Sequence, residues 1–124
     1  MIKNHIVVTH DSEIDKKEAE KRDRFLKKQK KLEKKFEEKQ EHFENLDPEA
    51  MIFGNGDYIT ALVGYTGDGR AIYDYDLMVE FLKEYEEMTP EEAMEWIDYN
   101  TIRTIPYMGN LAPIIMYRIY DNEK

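Results

Sequence analysis

A short stretch near the C-terminus, residues 98–120, concentrates side chains that can bind a nucleotide. Asn100, Thr101 and Arg103 lie near the end of a predicted helix, and Tyr107 follows in a Pro-Tyr-Met-Gly-Asn loop. An Asn amide can read an adenine edge, an Arg guanidinium can hold a phosphate through two hydrogen bonds, and a Tyr ring can stack on a base. We therefore predict that these four residues bind a ligand.

Arg118 is the fifth predicted ligand-binding residue. It alternates with Met116 and Tyr120 along a predicted C-terminal strand, so its side chain faces either a pocket or an interface. The alternative is that the tyrosines and methionines of this stretch belong to the core, and that the arginines neutralise nearby Asp and Glu side chains. The residues alone leave both interpretations open.

The side chains that catalysis requires do not form a recognisable constellation. The three histidines, His5, His10 and His42, lack the spacing of metal ligands, and the chain has no cysteine to serve as a nucleophile or a zinc ligand. The paired glutamates at 86–87 and 91–92 are better explained as charges at helix ends. The sequence therefore predicts a protein that is not an enzyme and that uses no metal or cofactor.

Charge is distributed unevenly along the chain. The formal net charge is −9, yet residues 21–35 hold nine basic and only two acidic side chains. In an oligomer this run could line a second anion site with Arg22 and Arg24 as its contacts, or it could touch nucleic acid or a membrane. More often such a run is a solvated helix face. The acidic remainder of the chain repels nucleic acids and anionic membranes, so neither is predicted as a specific partner.

One long helix is predicted after Ser12, to about Leu46, because this segment has neither Gly nor Pro and is rich in Lys, Glu and Gln. A short β-branched strand, His5 to Thr9, precedes it. The apolar residues of the helix fall on a and d positions of a heptad repeat and form a narrow stripe: Phe25, Leu32, Phe36, Phe43 and Leu46. Since a helix this long cannot bury the whole stripe on its own chain, we predict a homo-oligomer, a dimer or higher. The alternative is a solvated single helix.

Beyond Pro48 the sequence predicts a compact module of strands and short helices. Two strands joined through the turn Thr66-Gly-Asp-Gly69 form a predicted hairpin. Asp74 or Asp76 caps the first short helix, and Thr89-Pro-Glu-Glu begins a second, which must stop before a proline at 106. The predicted strands of the module are 58–65, 70–74 and 114–120.

The order of these elements indicates the fold class. A long N-terminal helix, a small, mainly antiparallel sheet and two short helices together define an α+β fold. We predict a single domain, residues 1–124, in which 1–47 form the N-terminal strand and helix and 48–124 form the ligand-binding module. The second short helix is expected to pack Trp96 into the core, together with Ala93 and Ile97.

The N-terminus bears on the cellular compartment. Its apolar run is too short for a signal peptide, and no segment approaches the ~20 apolar residues of a membrane-spanning helix. With no cysteine in the chain, these features favour a cytoplasmic protein.

Two tracts carry a family resemblance: Tyr73-Asp-Tyr-Asp-Leu-Met and Thr89-Pro-Glu-Glu-Ala-Met-Glu-Trp-Ile-Asp-Tyr-Asn-Thr-Ile-Arg-Thr-Ile-Pro-Tyr-Met-Gly. They resemble a domain common in phage and prophage proteins of Gram-positive hosts. With the long N-terminal helix, nearly the whole chain is similar to the phage anti-Thoeris sponge proteins, and a clostridial phage is the suggested source. Trp96 to Gly109 is the most specific part of the resemblance.

The resemblance implies a function that composition does not. Sponge proteins sequester cyclic ADP-ribose isomers made by a TIR-domain defence protein, so the defence effector is never switched on. The family is also associated with dimers and higher oligomers, and with a second site for cyclic oligonucleotides. The alternative is a protein-binding inhibitor or adaptor of a host defence protein that uses the long helix. An enzyme that cleaves a cyclic nucleotide is a third interpretation.

Overall fold

A computed structural model describes residues 15–121 of the 124-residue chain, except for the side chain of Asn55. The chain divides into two compact units, Met1–Lys31 and Leu32–Lys124. This division tests neither the predicted single domain nor its internal boundary at residue 47, and both stay predictions. Within the described residues, no helix has the length and apolarity that crossing a bilayer requires.

Helix α1 (Ile2–Gln40) forms the described part of the first unit. The predicted strand His5 to Thr9 falls within these bounds, on residues outside the described part of the chain. From Asp15 to Lys27 every side chain is exposed, and this includes Phe25 at 59% and Leu26 at 56% of full exposure. The first unit therefore presents apolar side chains to solvent.

Helix α1 ends at Gln40 and not at the predicted Leu46. A short 3-10 helix, Phe43–Asn45, follows it. The His42 N–H donates to the Lys39 carbonyl at 2.9 Å, and the Asn45 N–H donates to the His42 carbonyl at 3.0 Å. These hydrogen bonds span three residues instead of four, so the chain tightens where helix propensity alone would have continued the α-helix.

The apolar stripe of the helical segment divides at the boundary between the two units. Leu32, Phe36, Phe43 and Leu46 are partly buried against the core of the second unit. The rings of Phe36 and Phe43 meet edge to face, with their centroids 5.8 Å apart. Most of the stripe thus packs on its own chain, and Phe25 is the stripe residue that lies in the first unit.

Strands β1 (Leu62–Tyr65) and β2 (Ala71–Asp74) form the predicted antiparallel hairpin. Gly69 in its turn has a φ of +86°, and a Cβ at this position would collide with the main-chain nitrogen of Asp47. That nitrogen donates to the Gly69 carbonyl at 3.0 Å. Glycine is required here both by its backbone conformation and by this close approach.

Strand β1 is shorter than predicted because Tyr58 interrupts the extended chain. Tyr58 has a φ of 58°, in the left-handed region, and Ile59–Ala61 form a 3-10 helix. The rings of Tyr58 and Phe53 meet with centroids 5.5 Å apart. Residues predicted as the start of a strand therefore belong to a buried turn that leads into β1.

Strand β3 (Ile114–Met116) completes the sheet, in which the strand order is β1-β2-β3. It runs parallel to β2, so the sheet is mixed, and the α+β class predicted from the sequence is confirmed. The predicted strand to Tyr120 ends early, because Met116 pairs with Asp74, the last residue of β2. After Asp74 the chain turns into α2, so β2 offers β3 no further residues to pair with.

Helices α2 (Tyr75–Tyr85) and α3 (Pro90–Trp96) start at residues that the sequence identifies. Asp74 Oδ1 accepts from the Leu77 N–H at 3.3 Å, which makes Asp74 the N-cap of α2. The Thr89 Oγ1 accepts from the Glu92 N–H at 3.1 Å, while the Glu92 carboxylate accepts from the Thr89 N–H at 3.0 Å. This reciprocal capping box begins α3 as predicted. The core around the two helices includes Ile59, Leu62, Tyr73, Met78, Phe81, Leu82, Ala93 and Ile97.

Candidate functional site

The chain after α3 stays helical but changes its hydrogen-bonding pattern twice. Ile97–Thr101 form a π-helical turn, and Ile102–Tyr107 form a 3-10 helix. Helix α3 itself ends at Trp96, before Pro106 as predicted, and Pro106 lies inside the 3-10 helix that follows the π-helical turn. Pro106 has no N–H, so one main-chain carbonyl of the 3-10 helix lacks its usual partner. Pro106 and Tyr107 are exposed, so water can donate to that carbonyl.

The π-helical turn separates buried from exposed side chains. Ile97 and Thr101 are buried, whereas Asp98, Tyr99 and Asn100 are exposed. Single π-helical turns occur often at functional sites, because the additional residue alters which side chains face outward. This turn presents three consecutive side chains with polar groups to solvent.

Thr101 is directed to the interior. Its Oγ1 lies 2.7 Å from the Tyr58 hydroxyl, and the two groups share a buried hydrogen bond. Burial raises the pKa of Tyr58, and this hydrogen bond works in the opposite direction. The predicted ligand-binding residue Thr101 thus anchors the turn to the core, and it does not reach the surface that Asn100 occupies.

The exposed side of α3 and the π-helical turn contains a groove of about 510 Å³, which we call the aromatic groove. Trp96 is 48% exposed and Tyr99 is 58% exposed, so both rings offer accessible faces for stacking. The prediction that Trp96 packs in the core is wrong, because Ala93 and Ile97 fill the inward side of the helix. The lining residues of the groove are Met88, Glu92, Glu95, Trp96, Tyr99 and Asn100.

Arg103 is held next to the aromatic groove by Tyr99. The guanidinium carbon of Arg103 lies 5.0 Å from the centroid of the Tyr99 ring, in the range of a cation–π contact. Among the described residues, no carboxylate or carbonyl engages the N–H groups of this arginine. The structure therefore brings two predicted residues, Asn100 and Arg103, to one site through a tyrosine that the prediction did not include.

The electrostatics of the groove are mixed. Glu92 and Glu95 contribute carboxylates, although the Glu92 side chain is already engaged in the capping box. Asn100 contributes an amide, and Arg103 places a cation beside Tyr99. Carboxylates accept from sugar hydroxyls and ring amines and repel phosphates, so any diphosphate must lie at the Arg103 end.

Arg118 and Tyr107 lie away from the lining of the groove. Arg118 Nε donates to Asp74 Oδ2 at 2.7 Å and lies 3.8 Å from Asp76 Oδ2. Tyr107 is 90% exposed at the end of the 3-10 helix. The structure thus gives Arg118 two carboxylate partners, one at the end of β2 and one in the first turn of α2. The ligand-binding roles of Arg118 and Tyr107 stay predictions.

A pair of tyrosines supports the turn beside Asp98. The Tyr75 hydroxyl donates to Asp98 Oδ1 at 3.1 Å, and the rings of Tyr75 and Tyr117 have centroids 5.0 Å apart. Burial, followed by the hydrogen bond to Asp98 and the charge of that carboxylate, raises the pKa of Tyr75 to about 12. Tyr75 therefore remains a neutral donor at physiological pH and holds Asp98 in place.

Of the six lining residues, the sequence predicted only Asn100 as a site residue. A signal for the two aromatic ones, Trp96 and Tyr99, is nevertheless present. Trp96, Tyr99 and Arg103 follow one another at steps of three and four, which places them on one side of a helix. Ala93 and Ile97 are four residues apart, so both face the core from one side of the helix. Trp96 then lies on the flank of the helix and not on its inward side.

Arg22 and Arg24, the predicted second anion site, are exposed side chains on α1 in the first unit. Between them, Asp23 forms an ion pair with Lys27 at 3.3 Å. The second site stays a prediction. The described residues also include no group of three or more His, Asp or Glu side chains that could hold a metal ion.

Comparison of the chain with protein-family models, with curated proteins and with solved structures finds no match. The similarity to anti-Thoeris sponge proteins therefore rests on the two sequence tracts, and it stays a prediction.

Proposed function

We propose that this protein is a non-enzymatic binding protein that holds a nucleotide-type signal in the aromatic groove. One observation supports the proposal above the others: Arg103 lies 5.0 Å from the ring of Tyr99, which lines the groove with Trp96 and Asn100. Accessible aromatic faces bind a base, an amide reads the edge of that base, and a guanidinium binds a phosphate. These groups meet within two helical turns.

A cyclic ADP-ribose isomer is the proposed ligand. The family resemblance implies it, and its parts suit the groups of the groove: an adenine for Trp96 or Tyr99, ribose hydroxyls for Glu95, and a diphosphate for Arg103. By sequestering this signal in the host cytoplasm, the protein would act as a sponge against the Thoeris defence. Arg22 and Arg24 are the proposed contacts of a second site for cyclic oligonucleotides.

A sponge must bind tightly, because it lowers the free signal only when its dissociation constant lies below the effector threshold. A nanomolar constant corresponds to about −12 kcal/mol. An open groove leaves one face of a ligand in water, and a second copy of the chain could cover that face. We therefore include a homo-oligomer in the proposal, and the exposed Phe25 and Leu26 of α1 support it.

The decisive experiment identifies what the protein captures. Purified protein is mixed with a lysate in which a TIR-domain protein is active, then re-isolated and heated, and the released small molecules are measured by mass spectrometry. We expect an intact cyclic ADP-ribose isomer from the wild type and little from a Trp96→Ala, Tyr99→Ala double variant. Met94→Ala is the matched control, because Met94 is an exposed residue of the same helix outside the groove lining.

Other outcomes would replace the proposal. A linearised product would identify an enzyme. No released ligand, together with a co-purifying protein that is lost when Phe25 and Leu26 are changed to Gln, would identify the adaptor. These two residues are the large exposed apolar side chains in the described part of the first unit.

A further inference from the structure

A second concavity lies in the Leu32–Lys124 unit, between the end of α1 and strand β1. We call it the edge pocket, because β1 is an edge strand of the sheet. Its volume is about 390 Å³, within the range of about 300–1,000 Å³ typical of small-molecule sites. Its apolar wall includes Phe43, Leu46, Leu62 and Val63, and it shares no lining residue with the aromatic groove.

Lys39 places a cation in this pocket. Its ammonium donates to the main-chain carbonyl of Leu62, which leaves two further N–H donors. Within the described part of the chain, no carboxylate lies within 4.0 Å of Lys39 Nζ. Burial lowers the pKa of Lys39, the charge of Lys35 lowers it further, and the charge of Glu38 opposes both. The cation is thus partly desolvated and has no direct anionic partner.

We propose that the edge pocket binds a small monocarboxylic acid, with its carboxylate on the Lys39 ammonium and its apolar body against Phe43, Leu46 and Val63. A charge-assisted hydrogen bond satisfies the free donors, and the body covers apolar surface. One ammonium beside the carboxylate of Glu38 suits a monoanion better than a phosphate dianion, for which a guanidinium fork is the usual partner.

The position of Lys39 also disfavours an extended peptide as the occupant. A peptide that adds to a sheet edge must donate its N–H groups to free carbonyls of that edge strand. Lys39, from α1, already donates to the Leu62 carbonyl of this edge strand, so that carbonyl is not free to accept from a peptide. The remaining donors of Lys39 can still reach a compact acid.

The test uses one pair of probes, 4-phenylbutyrate and its neutral amide, 4-phenylbutanamide, titrated by calorimetry into the full chain. We expect the acid to bind wild-type protein at least tenfold more tightly than the amide. Lys39→Met should remove this preference while leaving the apolar wall intact. Lys34→Met should retain it, because Lys34 is an exposed cation of the same helix outside the pocket.

A second variant tests the pocket without altering charge. Val63 is an exposed residue of β1 that lines the pocket. Val63→Phe replaces its side chain with a bulkier aromatic ring that fills the cavity, so the variant should bind neither probe. Circular dichroism melting confirms that each variant folds. The proposal is overturned if acid and amide bind wild-type protein equally, if neither binds at millimolar concentration, or if Val63→Phe binds both normally. An NMR titration with 4-phenylbutyrate locates the binding site. Amide-resonance shifts confined to Trp96 and Tyr99 would place the acid in the aromatic groove and would also overturn the proposal.

Discussion

Arg118 and Asp74 connect the C-terminal segment of the module to the start of α2 through one carboxylate. Arg118 Nε donates to Asp74 Oδ2 at 2.7 Å, while Oδ1 of the same carboxylate accepts from the Leu77 N–H at 3.3 Å. Asp74 is 3% exposed. Its negative charge therefore depends on these donors, one from the segment after β3 and one from the first turn of α2.

We expect Arg118→Ala to lower the free energy of unfolding by about 1–3 kcal/mol, because it leaves a buried carboxylate without its cation. Removing one partner of a fully buried pair costs about 3–5 kcal/mol. The partial exposure of Arg118 reduces that figure through solvent screening. Urea unfolding measures the change. Lys27→Ala, which breaks an exposed ion pair, should cost no more than about 0.5 kcal/mol. Unchanged stability with lost ligand affinity would instead support the predicted binding role of Arg118.

Arg103→Ala should weaken binding of a cyclic ADP-ribose isomer by roughly 1.5–3 kcal/mol, or about 10- to 150-fold, the range of a charged hydrogen bond. Arg103→Lys should recover only part of this loss, since an ammonium lacks the planar fork that lies against Tyr99. Calorimetric titration measures both variants. Lys83→Ala removes a cation from α2 and should bind as the wild type does. Wild-type affinity in a folded Arg103→Ala protein would contradict the proposed site.

Gly69→Ala should destabilise the protein by about 2–4 kcal/mol. An alanine at φ +86° is strained, and its Cβ would displace the main chain of Asp47. Gly67→Ala is the matched control in the same turn, because no atom lies within 4 Å of the position of its Cβ. Thermal melts of the two variants provide the comparison. Equal melting temperatures would show that the turn is not anchored to Asp47.

Tyr73→Phe should flatten the dependence of stability on alkaline pH. Burial raises the pKa of Tyr73 to about 12 from 10.0, and its hydroxyl accepts from the Phe53 N–H at 3.1 Å. A raised folded-state pKa gives stability that is present below pH 10 and is lost as the pH rises toward 12. The loss amounts to about 2–3 kcal/mol.

The measurement for Tyr73→Phe is urea unfolding at several pH values between 9 and about 12. The variant should be less stable at neutral pH, because the Phe53 N–H loses its acceptor, but it should decline less steeply. Tyr107→Phe, at an exposed position, should follow the wild-type profile. Parallel profiles for Tyr73→Phe and wild type would contradict the assignment.

Changing both Phe25 and Leu26 to Gln should lower the number of subunits in the oligomer. Light scattering across a dilution series should give the wild type a mass that is a multiple of 14.9 kDa, and the double variant a smaller one. Both side chains are more than half exposed on α1, and association of two copies would remove this apolar surface from water. Lys30→Gln, an exposed position of the same helix outside the stripe, should leave the mass unchanged. A wild-type mass of 14.9 kDa at every concentration would exclude the oligomer.

Local signals in the sequence predicted the local structure well. The capping box Thr89–Glu92 and the hairpin turn at Gly69 depend on residues only a few positions apart, so their spacing is sufficient to identify them. For the N-cap of α2 the sequence left Asp74 and Asp76 open, and the structure shows Asp74. The two short helices and the α+β class follow from these starts. Asn100 and Arg103 were selected by their chemistry. Asn100 lines the aromatic groove and Arg103 contacts Tyr99 of that groove, while their ligand-binding roles stay predictions.

Features that depend on distant residues could not be predicted in the same way. The end of β3 is set by the end of β2, which α2 fixes at Asp74. The exposure of Trp96 depends on Ala93 and Ile97 filling the inward side of the helix. The edge pocket joins Lys39 to Leu62, 23 positions away along the chain, and no spacing in the sequence indicates such a contact.

The π-helical turn Ile97–Thr101 holds one residue more than an α-helical turn does. Both of its end residues, Ile97 and Thr101, are buried, so the additional residue lies on the exposed side, among Asp98, Tyr99 and Asn100. If one residue of this exposed side were deleted, the segment could close as a regular α-helical turn with Ile97 and Thr101 still directed to the core. The additional residue therefore adds a surface side chain beside the groove without changing which side chains reach the core.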